Sequence, residues 1–340
     1  MSEYAIDQCP LYKLQSKKRL AKIMFCSVKD LQSFRLGPHY KLFKLNKPPC
    51  PFTGKITNPR DVQEPKATLK KMHERLRCLM TRIHPPEYAH GAIGGKSYKT
   101  NAEIHIGYRR VAKFDLTKFY PSTCKSVIFD FFKNYMKCAP DIASLLADLV
   151  CYGNGLPTGS PLSPIISVFA NKAMFDKLDE IAKTNNLVFT VYIDDLTYSG
   201  FSLPRGLPRM VASIVKNFGH SLVEKKTSVY RKNQIKHITG IVVHNDLISV
   251  PKSRFRKARK IQAALKIENN LQKKLKISQK LSGLLGEAAH IDKKYSVWAK
   301  TSFKRQAAIS KQLNQIPRTT VSKKKAFGPT RIWCETEPAF

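Results

Sequence analysis

The sequence FTVYIDDLTY, residues 189–198, places two adjacent carboxylates, Asp194 and Asp195, inside a strongly β-forming run. β-Branched and aromatic residues lie on both sides of the acidic pair, which predicts a strand, a tight turn and a second strand with the aspartates at the bend. Because Asp is a common turn residue for conformational reasons, an isolated pair of this kind is most often a solvated turn. A metal-binding role therefore requires a further carboxylate.

A third carboxylate, Asp115, occurs upstream in VAKFDLTKFYPS, residues 111–122, where a short apolar strand ends and a turn follows. Aspartates at strand ends can converge on one point. Phosphoryl transfer by two divalent ions needs a few carboxylates on rigid elements, so that the ions, roughly 3.5 to 4 Å apart, hold the attacking and leaving oxygens. Mg²⁺ suits so small an acidic set, because it keeps several waters and binds one or two carboxylates together with substrate phosphates.

The chain is strongly basic and long enough for a sizeable core. Its 340 residues are 42% hydrophobic and 10% aromatic, which predicts a folded globular protein. Lysine and arginine number 60 against 24 acidic residues, a formal charge of +36 that exceeds what solubility requires. Dense basic runs at residues 252–260 and 273–276 favour a broad nucleic-acid-binding track, although any single run could equally be a solvated helix face.

The cysteines and the apolar runs indicate the compartment. Eight cysteines include no Cys-x-x-Cys pair, and no secretory leader is visible, which favours reduced, mostly buried thiols over a zinc or disulfide framework. No apolar run approaches the roughly 20 residues of a membrane span. We therefore expect a cytoplasmic protein without a membrane partner.

The segments around the aspartates are mostly helical in pattern. Apolar residues recur every three to four positions from Leu69 to Ile83, which predicts an amphipathic helix. The loop GNGLPTGSPLSP, residues 153–164, opens another helix, for which Ser163 is a suitable cap. Beyond Gly240 the pattern predicts a separate basic helical region.

Five motifs in order carry a resemblance to a known family. Over roughly residues 40–290 the chain resembles a reverse transcriptase of the bacterial retron type. Three motifs resemble the first aspartate motif, the glycine-proline substrate loop and the Tyr-x-Asp-Asp box of reverse transcriptases. Two others resemble the Asn-Ala-x-x-His box and the Val-Thr-Gly triplet of retron enzymes. In chain order the matches are NAEIH (101–105), FDLTKFYPS (114–122), LPTGSPLSP (156–164), YIDD (192–195) and ITG (238–240).

The resemblance implies an α+β right-hand polymerase fold with fingers, a palm whose antiparallel sheet is backed by helices, and a helical thumb. It also suggests how the chain divides. The expected parts are an N-terminal helical extension (1–45), fingers (46–110), a palm with fingers elements (111–240), a helical thumb (241–315) and a basic C-terminal tail (316–340).

The resemblance assigns the metal and catalytic roles to four residues. Asp115, Asp194 and Asp195 match the family's metal ligands. Lys226 matches a lysine near the leaving pyrophosphate, where a cation or proton donor stabilises developing charge. Lys225, its neighbour in the same basic run, could take that place instead.

Five residues match the family's substrate-binding positions. Arg60 matches a fingers arginine that grips the triphosphate bidentately. The backbone carbonyl of Leu116 would add a metal-binding oxygen. Tyr120 matches the bulky side chain that blocks a ribose 2′-hydroxyl, although a plain core aromatic is the alternative. Gly159 and Ser160 lie in the substrate loop.

The two retron-type motifs imply RNA binding. The residues concerned are Asn101 and His105 in the first motif and Ile238, Thr239 and Gly240 in the second. A histidine such as His105 is more often a satisfied structural residue than a catalyst, so no proton transfer is assigned to it.

The implied activity is RNA-directed DNA synthesis. The resemblance implies two Mg²⁺ ions, replaceable by Mn²⁺, and deoxynucleoside triphosphates as substrates. It implies a cognate non-coding RNA of the msr-msd type, a ribose 2′-hydroxyl as primer, and a branched RNA–DNA hybrid (msDNA) as product. It further implies a bacterial cytoplasmic location and a separately encoded effector protein acting in antiphage defence.

Two alternatives stay open. One is another bacterial reverse transcriptase, from a group II intron or a different defence system; the NAEIH motif weighs against it. The other is a non-catalytic RNA-binding scaffold with a polymerase fold, for which the positive charge would suffice. Thr158 and Lys118 depart from the family pattern, where a glutamine and an aspartate are common, but neither departure removes a metal ligand.

Overall fold

The β-structure of the chain consists of antiparallel sheets. The computed structural model describes residues 3–34, 39–46, 48–54, 56, 58–244 and 246–315, and the predicted basic tail, residues 316–340, lies outside the described residues. Within those ranges the strands are β1 (Tyr40–Leu45), β2 (Arg60–Pro65), β3 (Arg110–Asp115), β4 (Val188–Tyr192), β5 (Asp195–Gly200), β6 (Ser228–Tyr230), β7 (Lys236–Ile238), β8 (Ile241–His244) and β9 (Leu247–Ser249). They form a β1-β2 hairpin, a four-stranded sheet of order β4-β5-β3-β6, and a β7-β8-β9 sheet.

Helices make up most of the remaining described chain. They are α1 (Lys17–Ile23), α2 (Val28–Ser33), α3 (Ala67–Met80), α4 (Tyr98–Glu103), α5 (Phe119–Ser122), α6 (Lys125–Asp130), α7 (Pro140–Val150), α8 (Ser163–Ala170), α9 (Lys172–Thr184), α10 (Leu207–Asn217), α11 (Lys252–Ile267), α12 (Leu271–Ile291) and α13 (Ser296–Gln315). No helix of the described residues is both long enough and apolar enough to cross a membrane.

Aromatic packing fixes the four-stranded sheet against α9. Tyr198 of β5 is fully buried, and its hydroxyl donates a hydrogen bond to the Leu178 carbonyl of α9 at 2.9 Å. The Phe189 ring of β4 lies 4.6 Å from the Tyr198 ring, and the Phe114 ring of β3 lies 6.1 Å from it. Each buried ring contributes roughly 1.5 to 3 kcal/mol of hydrophobic stabilisation. The inner face of the sheet is thereby held rigid behind its aspartates.

The core is divided into three clusters. The largest joins the N-terminal helices, α3 and the helices that back the four-stranded sheet. A second cluster joins α4 to the β7-β8 hairpin and to the end of α12, through residues such as Ala102, Ile238 and Ile291. A third holds α11, α12 and α13 together. The predicted α+β fold, with an antiparallel sheet backed by helices and a C-terminal helical region, is confirmed.

Two expected boundaries and one expected cap differ in the structure. Residues 40–45, expected in the helical extension, form β1 and pair with β2. The boundary expected after residue 240 falls between β7 and β8, which pair with each other. Ser163 is the first residue of α8 rather than its cap, and its hydroxyl donates to the Pro157 carbonyl at 2.7 Å. Strand pairing sets the two boundaries and loop packing sets the start of α8, and composition reveals neither.

Candidate active site

The three aspartates lie at one end of the four-stranded sheet. Asp115 ends β3, Asp195 begins β5, and the two residues are direct partners in the antiparallel register. Asp194 occupies the turn between β4 and β5, where its carbonyl accepts a hydrogen bond from Leu116 N at 2.9 Å. Carboxylates far apart in sequence are thus adjacent, as the strand pattern predicts.

The turn that carries Asp194 is strained and tightly supported. Ile193 has a φ of 61°, the sign that the first position of a two-residue hairpin loop requires. This conformation costs a non-glycine residue about 1 to 3 kcal/mol. The chain segment beside β4 holds the turn in place, because His90 N donates to the Val191 carbonyl at 2.8 Å. A Cβ added to Gly91 would lie 2.5 Å from Ile193 N, so only glycine fits there without displacing the turn.

The carboxylates are partly desolvated and repel one another. Burial raises the pKa of Asp194 to about 6, and the charges of Asp195 and Asp115 act in the same direction. Burial also raises the pKa of Asp195, with Lys113 acting against the shift. A cluster that resists ionisation for these reasons is one that a bound cation would stabilise in its charged form.

Lys226, rather than Lys225, reaches the aspartates. Its Nζ donates to both carboxylate oxygens of Asp115 at 2.8 Å, and this hydrogen bond raises the pKa of Lys226. The lysine ends the short 3₁₀ turn Glu224–Lys226, which is anchored because Val223 N donates to the Asp115 carbonyl at 2.8 Å. The structure therefore places a cation at the site where the sequence left two candidates.

The residue types at the site fit Mg²⁺. Carboxylate oxygens are the ligands that this ion prefers, and Asp115, Asp194 and Asp195 provide them in a desolvated, mutually repelling group. As the side chains stand, no three or more His, Cys, Asp or Glu residues within the described ranges are grouped as a metal-binding cage. Such a cage is not needed by an ion that completes its shell with water and substrate phosphates.

Tyr120 lies beside the aspartate turn. It belongs to α5, which follows β3 after Lys118, a residue with a φ of 45°. The ring is half-buried, and burial raises the pKa of Tyr120, with the nearby charge of Asp194 adding to the shift. Its hydroxyl therefore stays protonated at neutral pH. The Tyr120 carbonyl accepts from Leu156 N at 3.0 Å, which ties the ring's position to the substrate loop.

The substrate loop, residues 153–164, is docked on β2. Gly159 N donates to the Gln63 carbonyl at 3.2 Å, and a Cβ on Gly159 would lie 2.7 Å from that oxygen. Thr158 N donates to Gln63 Oε1 at 3.0 Å. Arg60 is the exposed first residue of the same strand. Strand β2 therefore carries both the substrate loop and the arginine that is predicted to bind the triphosphate. No contact among the described residues brings Arg60 to the aspartates.

Ser160 is held by a histidine that the sequence did not single out. The Ser160 hydroxyl lies 2.6 Å from His73 Nδ1 and also accepts from Leu162 N at 3.1 Å. The other ring nitrogen of His73 lies 2.9 Å from the Leu149 carbonyl, and burial lowers the pKa of His73 to about 4. The Ser160 hydroxyl therefore positions the loop, and the substrate binding assigned to Ser160 stays a prediction. The position of His73 on the apolar face of α3, between Met72 and Leu76, was the available signal.

Asn101 and His105 are fully buried, which leaves their side chains no direct contact with RNA. The two ring nitrogens of His105 lie 2.7 Å from Ser199 Oγ on β5 and 2.7 Å from Thr190 Oγ1 on β4. Burial lowers the pKa of His105 to about 3, so the ring is neutral. We correct the predicted RNA contact of His105: the ring instead bridges the two strands that carry the aspartate turn.

The second retron-type motif packs against the first. Thr239 and Gly240 form the turn between β7 and β8 with φ values of 44° and 80°, and Thr239 Oγ1 donates to the Tyr98 carbonyl of α4 at 2.7 Å. Ile238 is fully buried beneath this contact, so its side chain is also removed from RNA. The exposed Gly240 and the half-buried Thr239 remain candidates for RNA contact.

Sequence comparison finds several retron enzymes. Retron Se72 reverse transcriptase from Salmonella heidelberg (strain 579083-10) is 32% identical over 199 residues, covering 56% of this chain and 50% of that protein. Retron Ec86 reverse transcriptase from Escherichia coli is 25% identical over 225 residues, covering 65% and 68%. Retron Mx65 reverse transcriptase from Myxococcus xanthus is 27% identical over 209 residues, covering 55% and 49%. The match thus spans about half the length of the first and third relatives.

The similarity to retron reverse transcriptases that the motifs predict is confirmed by these relatives. No family model matches the sequence. Two solved structures are distantly similar. Telomerase from Candida albicans with a fragment of telomeric RNA is 9% identical, covers 86% of this chain and 68% of its own, and has a TM-score of 0.47. The foamy viral protease-reverse transcriptase with double-stranded DNA is 16% identical, covers 81% and 44%, and has a TM-score of 0.42.

Proposed function

We propose that this relative of the retron reverse transcriptases is an RNA-directed DNA polymerase whose active site is the aspartate end of the four-stranded sheet. One observation carries the proposal: the register that pairs Asp115 with Asp195, next to the strained turn that presents Asp194. Three desolvated carboxylates, one of them paired with a lysine, are suited to nucleotidyl transfer. In a purely structural turn, their mutual repulsion would only be destabilising.

Each residue of the site has a distinct task in the proposed reaction. The primer hydroxyl attacks the α-phosphorus of a deoxynucleoside triphosphate, and pyrophosphate leaves. Bound divalent ions supply charge at the attacking and leaving oxygens, and Asp115, Asp194 and Asp195 would hold them. The Lys226 ammonium pairs with Asp115 and would stabilise charge that develops on the leaving group. Tyr120 would close the space beside the sugar.

The biological substrate follows from the resemblance to retron enzymes. The expected partner is a structured non-coding RNA of the msr-msd type, which serves as template and provides a 2′-hydroxyl as primer. The product would be a branched RNA–DNA hybrid, and a separately encoded effector would use the complex in antiphage defence in the bacterial cytoplasm. Support within the chain is the packing of the second retron-type motif against α4, which contains part of the first: Ala102 and Ile238 share one core cluster, and Thr239 Oγ1 donates to the Tyr98 carbonyl.

Sequencing the nucleic acid that copurifies with the protein from its host tests this biological assignment. The sample is treated in parallel with RNase and with DNase before sequencing. We expect one RNA species joined to DNA through a 2′,5′ branch. Bound RNA with no attached DNA, from cells expressing an active protein, would contradict the retron-type product and favour the RNA-binding scaffold.

Gly91→Ala should impair DNA synthesis without touching an aspartate. The added methyl would meet the Ile193 backbone at 2.5 Å and displace the turn that holds Asp194. A shift of this size lowers kcat by about tenfold to a hundredfold, since reacting groups tolerate little misplacement. Steady-state primer extension measures it. Gly94→Ala is the matched control, because no atom lies within 4 Å of its added Cβ; equal rates for the two variants would contradict the positioning role.

Tyr120→Ala should admit ribonucleotides. Removing the half-buried ring opens space beside Asp194, where the 2′-hydroxyl of a ribonucleotide would otherwise clash. We expect the preference for dTTP over rUTP to fall by about tenfold or more, a size typical of a lost steric contact in a pocket. Tyr135→Ala, at a tyrosine that is 40% exposed, is the control. Unchanged sugar discrimination in Tyr120→Ala would remove the gate role and leave a core aromatic.

A further inference from the structure

A basic pocket with an aromatic floor lies where α11 meets the start of α13. The cavity has a volume of about 440 Å³, within the range of roughly 300 to 1,000 Å³ typical of ligand sites. None of its lining residues is acidic. They are Lys252, Phe255, Arg256, Arg259, Tyr295 and Trp298.

The three cations of the pocket share one face of α11. Lys252, Arg256 and Arg259 recur at the four- and three-residue spacing of a helix face. In the part of the chain that the structure describes, none of them has a carboxylate partner. Two acids on neighbouring segments have other partners, because Glu287 pairs with Arg254 and Asp292 pairs with Lys294. The pocket therefore carries uncompensated positive charge.

The aromatic residues of the pocket are held in place from behind. The Phe255 and Tyr295 rings lie 4.7 Å apart at 46°, and both pack against the cluster that contains Ala102 and Ile238 of the two retron-type motifs. Trp298 is half-buried against the core of the α11–α13 bundle. Fixed rings beside unpaired cations offer a stacking surface next to a phosphate site.

We propose that this pocket binds one unpaired nucleotide of a single-stranded nucleic acid, with the base against the aromatic rings and the backbone phosphate among Lys252, Arg256 and Arg259. Base–aromatic stacking combined with a positively charged groove is the physical basis of single-strand recognition. A duplex presents phosphates but hides its base faces, so it can satisfy the cations but not the rings. The inference rests on the proposed function, which brings the strand to the protein.

Quenching of Trp298 fluorescence tests the stacking directly. The chain contains two tryptophans, so full-length protein carrying Trp333→Phe reports on Trp298 alone. The probes are oligo(rA) and oligo(dA) ten-mers, a blunt RNA duplex, AMP and inorganic phosphate. We expect salt-dependent quenching by one or both ten-mers and much less by the duplex at equal saturation. The two ten-mers identify whether RNA or DNA is the strand. The proposal would be overturned if the duplex quenched Trp298 as much as both ten-mers do. It would also be overturned if no probe quenched Trp298.

Charge variants supply the second arm. Arg256→Ala and Arg259→Ala should each weaken binding of the preferred ten-mer by about tenfold, while duplex affinity falls much less. Lys266→Ala, at an exposed lysine of the same helix that does not line the pocket, is the matched control. Equal losses in all three variants would overturn the proposal, because they would indicate a diffuse basic surface.

Primer extension on poly(rA)·oligo(dT) by the same proteins separates this proposal from the proposed function. If the wild type synthesises DNA but Arg256→Ala and Arg259→Ala lose no more ten-mer binding than Lys266→Ala does, the pocket proposal alone is refuted. Pocket-specific quenching in a protein that never extends a primer would refute the polymerase function alone and support the pocket.

Discussion

Asp194→Asn should abolish DNA synthesis while leaving RNA binding nearly intact. The substitution keeps the size of the side chain but removes a charge from the aspartate turn, where burial and two neighbouring carboxylates already raise the pKa of Asp194 to about 6. Loss of a charge that holds a catalytic ion lowers kcat by about a thousandfold. Single-nucleotide incorporation gives the rate, and electrophoretic mobility shift gives the RNA affinity.

The control for Asp194→Asn is Asp141→Asn, at a surface aspartate that pairs with Lys17 at 3.2 Å. A readout independent of activity is Mn²⁺ binding followed by electron paramagnetic resonance, with a terminated primer and an incoming nucleotide present. We expect Asp194→Asn to bind fewer Mn²⁺ ions than Asp141→Asn does. If Asp194→Asn incorporated nucleotides at the wild-type rate, the assignment of the metal site would be wrong.

His105→Ala should lower both stability and activity, through the strands rather than through the chemistry. The alanine leaves the buried hydroxyls of Thr190 and Ser199 without the ring that both now contact at 2.7 Å. An unsatisfied buried polar group and the new cavity together cost on the order of 2 to 5 kcal/mol of stability. The aspartate turn joins these two strands, so we expect kcat to fall at least about tenfold, while KM for the nucleotide changes little.

Thermal unfolding and steady-state kinetics below the melting temperature separate the two effects of His105→Ala. His105→Gln is the conservative variant, because its amide can hydrogen bond to at least one of the two hydroxyls, and it should recover part of kcat. His84→Ala, at an exposed surface histidine that lies 3.3 Å from Glu3, is the control. A fall in stability with an unchanged kcat in folded protein would contradict the positioning role.

The same histidine should make the protein sensitive to acid. The folded-state pKa of His105 is lowered from 6.5 to about 3 by burial. Between those values the unfolded chain binds a proton that the folded chain does not, so stability is complete above about pH 6.5 and declines as pH falls towards 3. His105→Gln removes this titration and should make that part of the stability profile less steep, while the buried His73, whose pKa is also lowered, keeps a residual slope. Denaturant unfolding at a series of pH values measures the difference.

Local sequence pattern predicted the elements that present the chemistry. The β-branched residues around Asp194 and Asp195 predicted the hairpin that the structure contains, and the apolar spacing from Leu69 to Ile83 predicted α3. These features depend on near neighbours in the chain, so periodicity and turn chemistry reveal them. The convergence of Asp115 with the hairpin followed from placing all three aspartates at strand ends.

The supports of the site could not be derived in the same way. Contacts such as Ser160 with His73, or Gly91 with the turn at Ile193, join segments that are distant in sequence and depend on tertiary packing. His105 was assigned to RNA binding by its motif, whereas the fold buries it between β4 and β5. A motif identifies a residue that matters but does not distinguish contact with a ligand from support of the residues that make the contact.

RNA-templated primer extension tests the central claim most directly. Purified wild-type protein is given an oligo(dT) primer on poly(rA), dTTP and Mg²⁺, and Asp194→Asn is run beside it. We predict that the wild type lengthens the primer, that removal of the divalent ion with EDTA stops the reaction, and that Asp194→Asn makes no detectable product. Absence of synthesis by folded, RNA-binding wild-type protein, or equal synthesis by the variant, would contradict a polymerase site at these aspartates.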